Sequence, residues 1–321
     1  MSTSTGLQAT ESSAGSTEAP YIVAERAWWA KHGLQPRETF VEVEAPEARL
    51  RVLEVGEGEP IVFIHGTAGS GPVWAPLVAQ LEDFRCIMLD RPGWAPRSAI
   101  DFSAWDYKDV VTCLLDAALT DLGLERVHLA GASIGDLWAL RLAQAQPDRV
   151  DRIILLGGGP LFSENEVPKI IRVLASPLGA VMARLPEKRG QLRSISRANG
   201  HGASLDAGRM DDFLDWREAL GRHLHPMKNE RDMVRAIVDW RKGSFRSGLR
   251  LDEAELNAIA NPTLMVYGSE DPVGSVDMWN RFTDSLTDAE LVVLEGYGHV
   301  PWLDDPDRVA TEVRRFLDTG T

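Results

Sequence analysis

One serine lies between two glycines directly after an apolar run, in the stretch LAGASIGDLWAL. Gly131, Ser133 and Gly135 form a Gly-x-Ser-x-Gly pattern that follows the apolar run RVHLAG and precedes the helical pattern DLWALRLAQAQ. A sharp strand-to-helix turn of this kind exposes a serine hydroxyl at the head of a helix, and the glycines leave room for a strained backbone. The pattern also occurs in turns that do no chemistry. Ser133 is therefore a candidate nucleophile whose partners must be found.

A histidine and an acid complete a possible catalytic triad. A serine hydroxyl is a weak nucleophile, so it needs a base to take its proton and an acid behind that base. His299 follows the apolar run ELVVLEG and is the best placed of the seven histidines. Asp271 lies just beyond the run TLMVYG, and we prefer it to the adjacent Glu270. These residues are predicted to meet at one edge of a sheet, in the chain order Ser133, Asp271, His299.

The other histidines that we consider have structural or open roles. His65, in FIHGTAG, is interpreted as a residue that shapes a turn, and His128 as a residue packed within a strand. His201, His223 and His225 belong to a long helical segment, where solvent exposure and substrate contact are both open. None of these five is predicted to be the base.

Backbone amides near the triad could bind the oxyanion of a tetrahedral intermediate. One is the amide of Ile134, directly after the serine. The other is predicted in the glycine-rich stretch HGTAGSGPVW, with Thr67 as first choice and Ala68 as second. The alternative for this stretch, a phosphate-binding loop, lacks the Gly-Lys-Ser/Thr ending. An oxyanion hole formed by Ile134 and Thr67 is the preferred interpretation.

Substrate contacts are predicted from residues that flank these motifs. Ten tryptophans are numerous for 321 residues, and four of them lie near the predicted site, namely Trp94, Trp105, Trp138 and Trp302. For each of them, core packing and an apolar pocket wall are both open. The residues predicted to contact substrate are Gly66, Ala68, Trp94, Trp138 and Val300. The pocket is expected to favour small apolar or aromatic groups.

Predicted strands and helices alternate regularly along the chain, and they must position these residues. Two half-buried runs, TFVEVEA and ARLRVLEV, precede nearly continuous apolar runs such as PIVFIH and FRCIMLD, which are typical of strands covered on both faces. Helical patterns separate these runs, so the sequence predicts an α/β fold with a mostly parallel, doubly wound sheet. Residues 160–250 have helical periodicity without a convincing strand and are predicted to form a helical cap. The predicted core comprises 21–159 and 251–321, after a disordered polar tail at 1–20.

Composition limits the expected partners. The formal charge of −14, from 34 basic and 48 acidic residues, repels phosphate backbones and anionic membranes, so neither nucleic acid nor a membrane is expected. No apolar run approaches the ~20 residues that span a bilayer, and the N-terminus lacks a secretory pattern. Cys86 and Cys113 are predicted to be buried thiols in a reducing, cytoplasmic compartment. No Cys/His cluster has metal-ligand spacing, so no metal and no cofactor are predicted, and the oligomeric state is left open.

Five motifs in order give the chain a family resemblance: HGTAGSGPVW, DRPGWAPRS, GASIG, YGSEDPVG and GHVPWLDDP. With them the chain resembles α/β-hydrolase fold enzymes over residues 38–317. The resemblance implies that the inserted helices cap the active site. A serine at the nucleophile position implies the serine-hydrolase branch, which includes carboxylesterases, lactonases, carbon–carbon bond hydrolases and perhydrolase-like enzymes.

Two positions depart from the pattern of this family. Asp136 stands where many relatives have glycine or alanine, and Ala95 with Pro96 where a glycine is common. Asp136 lies in the first turn of a helix, where a carboxylate interacts favourably with the helix dipole. Alternatively, it borders the pocket and tunes His299 or repels anionic substrates.

The predicted activity is cofactor-independent hydrolysis of a carboxylic ester, or a related acyl bond, of a small molecule through an acyl-enzyme. The first alternative is hydrolysis of a carbon–carbon bond by the same triad, with the histidine also protonating carbon. The second is a ligand-binding protein of this fold without catalysis.

Overall fold

A central sheet carries the fold in the computed structural model, which describes residues 19–318 except 68, 94–99, 160–166, 225 and 247–248. Most of the predicted polar tail thus lies outside the described residues. The strands, in chain order, are β1 (Arg37–Glu44), β2 (Glu47–Val55), β3 (Glu59–Ile64), β4 (Phe84–Leu89), β5 (Val127–Ala132), β6 (Val150–Leu156), β7 (Val238–Asp239), β8 (Ser244–Phe245), β9 (Thr263–Gly268) and β10 (Ala289–Leu294).

Eight of these strands form one sheet in the order β1-β2-β4-β3-β5-β6-β9-β10. The first strand pairs antiparallel with β2, and β2 pairs antiparallel with β4, whereas the remaining neighbours are parallel. The predicted mostly parallel sheet with an opening hairpin is confirmed. Because β5, β9 and β10 run in the same direction, their carboxyl ends meet at one edge.

Helices cover both faces of this sheet. They are α1 (Pro20–Lys31), α2 (Ala75–Val78), α3 (Tyr107–Asp121), α4 (Ile134–Ala145), α5 (Lys169–Ala175), α6 (Pro177–Met182), α7 (Arg189–Ala198), α8 (Gly202–Asp206), α9 (Asp211–Leu224), α10 (Pro226–Ile237), α11 (Glu253–Asn257), α12 (Val276–Asp284), α13 (Pro301–Asp304) and α14 (Pro306–Asp318). Short 3-10 helices lie at Gly71–Trp74, Phe102–Ala104 and Pro147–Arg149.

The buried core has two halves, one on each side of the sheet. Along β3, Ile61 and Phe63 pack into one cluster of buried apolar residues, and Val62 and Ile64 pack into the other. Successive side chains of a strand point to opposite faces, so a strand that is apolar at every position must be covered twice. This explains why the central strands have continuous apolar runs rather than alternating ones.

The predicted cap contains six helices, α5 to α10, within its described part. It also contains the two-residue strands β7 and β8, which pair antiparallel and were not predicted because they are too short to show a pattern. The first helix, α1, was not predicted either, and it packs against α9 of the cap.

One cysteine prediction is wrong. Cys86 is buried in β4 as predicted, whereas Cys113 is exposed. Cys113 belongs to α3, whose buried face is formed by Val110, Val111, Leu114 and Leu115, so the thiol lies outside that face. Among the described helices, none is both long and apolar enough to cross a bilayer.

Candidate active site

The turn between β5 and α4 holds Ser133 in a strained backbone conformation. Its φ of 55° and ψ of −118° make it the single non-glycine residue with positive φ in the described part of the chain. The flanking glycines permit this turn. A methyl group at Gly131 would lie 2.6 Å from the Cα atom of Asp136, and one at Gly135 would overlap the carbonyl oxygen of Ile64. Close packing of α4 on the sheet therefore requires glycine at both positions.

The predicted acid and base contact each other. His299 Nδ1 lies 2.9 Å from Asp271 Oδ2. The same carboxylate is fixed by two backbone amides, because Gly158 N donates to Oδ2 at 3.0 Å and Val273 N donates to Oδ1 at 2.9 Å. Asp271 is therefore oriented before any substrate binds. The adjacent Glu270 has no hydrogen bond to His299 among the described contacts, which favours Asp271 as the acid.

The environment of His299 favours its protonated form. Burial lowers the pKa of the imidazole, but the negative charge of Asp271 and the hydrogen bond to it raise the pKa, and the net shift is above the ordinary value. A base with a stabilised imidazolium can hold a proton taken from a nucleophile.

Ser133 is positioned near this pair but is not joined to it. It follows the end of β5, and Asp271 and His299 follow the ends of β9 and β10 at the same sheet edge. Within the described residues, Ser133 Oγ forms no hydrogen bond with His299. The structure therefore brings two of the three predicted residues into contact and places the third at the same edge.

The glycine-rich turn after β3 lies beside the serine. A methyl group at Gly66 would be 3.1 Å from the Cβ atom of Ser133, so the Gly66 backbone borders the candidate nucleophile. Ile134 begins α4, where the first amides have no partner within the helix. Thr67 follows Gly66 within the described chain, whereas the predicted Ala68 and Trp94 lie outside the described residues.

Arg91, which was not identified from the sequence, binds the backbone of this turn. Its Nε donates to the carbonyl of His65 at 2.8 Å and its Nη2 to that of Gly66 at 2.7 Å. Its backbone amide donates to His65 Nε2 at 3.0 Å, which leaves Nδ1 to donate to Gly66 O at 2.9 Å. Burial and the charge of Arg91 lower the pKa of His65 well below its usual range. His65 is thus a neutral residue that shapes the turn, as predicted.

The cap reaches the same turn through an ion pair. Glu230 of α10 accepts from Arg91 Nη2 at 2.9 Å, and the two side chains are 1% and 0% exposed. A charge removed from water needs a partner of opposite charge, so Glu230 compensates the buried guanidinium. Asp90 and Arg91, the first two residues of the DRPGWAPRS motif, are the only local signal of this arrangement. Nothing in that motif indicates a partner in the cap.

The cap also contacts the loop that carries His299. The amide of His299 donates to the carbonyl of Asn199 at 2.9 Å. His201 is buried, with its Nδ1 2.8 Å from Asp304 Oδ2. Its Nε2 accepts from the amide of Val300 at 3.2 Å, so Nδ1 carries the proton. Of the two uses left open for His201, solvent exposure is wrong, since the residue supports the loop of the candidate base.

The remaining residues of the prediction have other surroundings. His223 is exposed, and His225 lies outside the described residues. Val300 is half-buried next to His299. Trp138 is fully buried and donates from Nε1 to the hydroxyl of Tyr107 at 2.9 Å. The side chain of Trp138 has no accessible surface in this structure, and its predicted substrate contact stays a prediction.

Two further tryptophans differ in burial. Trp302 is 1% exposed and stacks on Trp74, with ring centroids 4.2 Å apart, so it is a core residue. Trp105 is 45% exposed, at the start of the segment that leads into α3. The proposed apolar wall therefore receives no surface from Trp138 or Trp302.

Asp136 is buried within the first turn of α4. It has no exposed surface. Burial raises its pKa well above the ordinary value, and the negative charge of Asp271 raises it further. These effects favour the neutral form of the Asp136 carboxyl, which interacts less with a helix dipole than a carboxylate does.

Three side chains at the opposite edge of the sheet have the residue types of metal ligands. Potential ligand atoms of Glu59, His128 and Asp151 lie within 4.8 Å of one another. His128 is 2% exposed, as predicted for a packed residue, and its Nε2 is 3.2 Å from Glu59 Oε1. Asp151 is already paired with Arg126 at 2.6 Å. This cluster begins β3, β5 and β6, far along the strands from Ser133, and takes no part in the candidate site.

The sequence and the fold are those of one large family. A model of the α/β hydrolase fold family matches residues 59–306, and the chain belongs to that family. The predicted resemblance is confirmed.

Relatives by sequence include an uncharacterized protein and a protein named as a hydrolase. An uncharacterized protein of Mycobacterium tuberculosis is 28% identical over 281 residues, which cover 82% of this chain and 76% of the relative. The 2-hydroxy-6-oxononadienedioate/2-hydroxy-6-oxononatrienedioate hydrolase of Paraburkholderia phymatum is 26% identical over 277 residues, which cover 84% of this chain and 91% of the relative.

Solved structures with a similar fold include a dienoate hydrolase and an esterase. The 2-hydroxy-6-oxo-6-phenylhexa-2,4-dienoate hydrolase of Rhodococcus sp. strain RHA1 superposes with a TM-score of 0.71 at 18% identity, covering 88% of this chain and 100% of that one. The naproxen esterase of Bacillus subtilis superposes with a TM-score of 0.67 at 17% identity, covering 95% and 100%. At these identities the likeness concerns the fold.

Proposed function

We propose that this protein is a serine hydrolase that cleaves a carboxylic ester, or a related acyl bond, of a small apolar or aromatic molecule. The observation that carries the proposal is the strained turn at Ser133 at the same sheet edge as an oriented Asp271–His299 pair. A serine that fills an ordinary turn has no need of a positive φ, whereas a nucleophile elbow requires it.

The reaction proceeds in two halves. Ser133 Oγ attacks the acyl carbon as its proton passes to His299 Nε2, and the imidazolium is stabilised by Asp271. The ester C–O bond then breaks, and the proton moves from His299 to the departing alkoxide. Water, deprotonated by the same histidine, attacks the acyl-enzyme and releases the acid. The amides of Ile134 and Thr67 donate to the oxyanion in both halves. No metal or cofactor takes part.

This mechanism requires Ser133 Oγ to reach hydrogen-bond distance of His299 Nε2 when substrate binds. Catalytic hydrogen bonds are often long or poorly aligned in enzymes without ligand, and they shorten in the complex. A rotation about the Cα–Cβ bond of Ser133 changes only the side chain, while the strained backbone keeps the residue at the sheet edge.

A fluorophosphonate probe with peptide mass spectrometry tests the proposal. We expect the label on Ser133, none on Ser133→Ala, and a loss of aryl-ester hydrolysis by at least about 10³-fold in that variant. Ser194→Ala is the matched control, because Ser194 is an exposed serine of α7. An unlabelled Ser133 in folded protein would favour the ligand-binding alternative.

A carbon–carbon bond hydrolase is the second candidate, favoured by the names of the sequence relatives. In this reaction the histidine also delivers a proton to carbon, and water adds to the ketone. A panel of aryl esters with short and long acyl groups, together with 2-hydroxy-6-oxodienoates, separates the candidates. If kcat/KM is at least about 10²-fold higher for the dienoates than for the esters, carbon–carbon bond hydrolysis replaces ester hydrolysis as the proposed activity.

A further inference from the structure

An apolar ridge lies on the outer face of cap helix α6 and the turn after it. We define the ridge as Leu178, Val181, Met182 and Leu185, which are 61%, 61%, 41% and 63% exposed. Their spacing follows one face of a helical segment, since the helical hydrogen bonds continue to the amide of Leu185. Isolated exposed apolar residues are ordinary, but a contiguous group of large ones marks an interaction surface.

The opposite face of the same helix is the one that packs on the cap. Gly179 and Ala183 are buried, and a methyl group at Gly179 would overlap carbonyl oxygens of α5. Small residues therefore bring α6 close to its neighbour, and the large apolar side chains point outward. The ridge is thus not a core face that became exposed because α6 is rotated. If α6 were turned so that the ridge faced the cap, large side chains would lie against α5.

Arginines surround the ridge. Arg184 lies within the ridge segment, and Arg231 of α10 donates to the carbonyl of Ser176 at 3.1 Å, at the start of α6. Burial lowers the pKa of Arg231, and the positive charges of Arg235 and Arg184 lower it further, whereas Asp232 opposes them. The charges of Arg184 and Arg235 therefore act on the Arg231 guanidinium.

Within the part of the chain that the structure describes, no acidic side chain forms an ion pair with these cations. Arg184, Arg231 and Arg235 have no ion pair among the described residues, and the same holds for Arg172 of α5 and Lys188 after the ridge. Asp232 is the acidic residue next to them along α10. An apolar ridge with unneutralised cations at its sides is thus a distinct surface of the cap.

The local charge differs in sign from that of the whole chain. Residues 167–197 contain seven basic residues and one acidic residue, Glu187, in a protein of net charge −14. Three of the seven, Arg189, Arg193 and Arg197, pair with aspartates of the cap, whereas Arg184 lies within the ridge segment and Lys188 shortly after it. The expectation that anionic membranes would be repelled rests on the average charge, which does not apply at this surface.

We propose that the ridge docks on a lipid surface that carries anionic headgroups. Its apolar side chains would enter the boundary between headgroups and acyl chains, and the flanking arginines would contact lipid phosphates. A second copy of this chain fits less well, because two such ridges would bring two sets of unneutralised arginines together. Docking is a property of the cap surface and does not depend on which bond the enzyme cleaves.

Flotation with lipid vesicles tests this proposal on the full chain. We expect the protein to bind vesicles of phosphatidylcholine and phosphatidylglycerol, to bind pure phosphatidylcholine much less, and to be released by salt. Val181→Asp should lower the vesicle partition coefficient by at least about tenfold. Val23→Asp is the matched control, because Val23 is 50% exposed on α1 and lies outside the ridge, and it should bind as the wild type does.

A charge reversal tests the arginines separately. Arg184→Glu should lower the partition coefficient by about fivefold or more, because each surface cation contributes to binding of anionic lipid. Arg37→Glu, on the exposed start of β1, should have little effect. Hydrolysis of a water-soluble ester should be unchanged in Val181→Asp, which separates lipid docking from the chemistry at Ser133.

Three results would overturn the proposal. The first is wild-type protein that does not float with phosphatidylglycerol vesicles at low salt. The second is an equal loss of binding in Val181→Asp and Val23→Asp. The third is a dimer, measured by light scattering after size-exclusion chromatography, that Val181→Asp converts to a monomer, since the ridge would then belong to a contact between copies.

Discussion

Arg91 and Glu230 join the sheet to the cap through an ion pair of 2.9 Å that is almost wholly removed from solvent. The guanidinium of Arg91 simultaneously binds the carbonyls of His65 and Gly66, beside Ser133. The turn that is predicted to bind the oxyanion and the packing of the cap therefore share one side chain.

Glu230→Gln is predicted to destabilise the protein by about 3 kcal/mol, because it leaves a buried guanidinium without a counter-charge. Chemical denaturation measures the change in the free energy of unfolding. The control is Glu42→Gln, whose partner Arg49 is 38% exposed, and which should cost less than about 1 kcal/mol. Equal losses in the two variants would contradict a special role for the buried pair.

The pH dependence of kcat/KM is predicted to follow His299. The base must be neutral to accept the serine proton, so activity should rise with pH through a pKa above the ordinary value of about 6.5. Asp271→Asn removes the charge and the hydrogen-bonded acceptor that raise this pKa, so the remaining activity should rise at lower pH. Its rate should fall by about 10⁴-fold. An acid limb that does not move in Asp271→Asn would exclude His299 as the base.

Asp136→Asn is predicted to stabilise the protein at neutral pH. The folded-state pKa of Asp136 lies well above the unfolded value, so folding binds a proton and stability falls as pH rises above the unfolded pKa. Asparagine removes this dependence, so Asp136→Asn should be more stable than the wild type above the unfolded pKa, and the difference should disappear at acid pH. Thermal unfolding between pH 4 and pH 8 measures it.

Asp304→Asn is the control for which we expect the opposite effect on stability. Burial raises the pKa of Asp304, but hydrogen bonds from His201, Ser204 and the amide of Gly298 lower it, and the net shift is downward. Its stabilising effect is present above the unfolded pKa and is lost as pH falls through the folded pKa. Asp304→Asn should therefore destabilise at neutral pH. A loss of stability in Asp136→Asn as well would show that Asp136 is ionised in the folded protein.

His201→Ala is predicted to lower kcat by about tenfold with little change in KM, because the loop of His299 loses its hydrogen bond from Val300 and its link to Asp304. Steady-state kinetics with a small ester measures both constants. His128→Ala removes another buried histidine at the far edge of the sheet, and it should affect stability without changing kcat.

Gly135→Ala is predicted to prevent folding or to cost more than about 3 kcal/mol, because the added methyl group meets the carbonyl of Ile64. Gly190→Ala tests the same substitution where no atom lies within 4 Å, in α7, and should gain about 0.5–1 kcal/mol. Denaturation midpoints of the two variants provide the measurement. A tolerated Gly135→Ala would contradict close packing of α4 on β3.

The sequence predicts those parts of the site that have local signals. Ser133, Asp271 and His299 each follow an apolar strand, and parallel strands bring such positions to one edge without knowledge of any contact. Arg91 and Glu230 are 139 residues apart, so no local pattern pairs them, and a lone arginine after a strand has many other uses.

The sequence gives little indication of which polar side chains are buried. His201 and Asp304 are 103 residues apart, and only the docking of the cap on the core brings them together. Cys113 was a different kind of error, because the spacing of the buried residues of α3 places it on the polar face, and helical periodicity would have shown this.

The contacts at Asn199 and Glu230 also bear on how such enzymes can be recombined. A chimera that replaces residues 167–250 alone would remove the carbonyl that receives the amide of His299 and the carboxylate that balances Arg91. A transplanted insertion would therefore have to bring matching residues at both places, or be exchanged together with Arg91. The crossover points for modular engineering of this chain are consequently set by two loops of the core and not by the ends of the insertion.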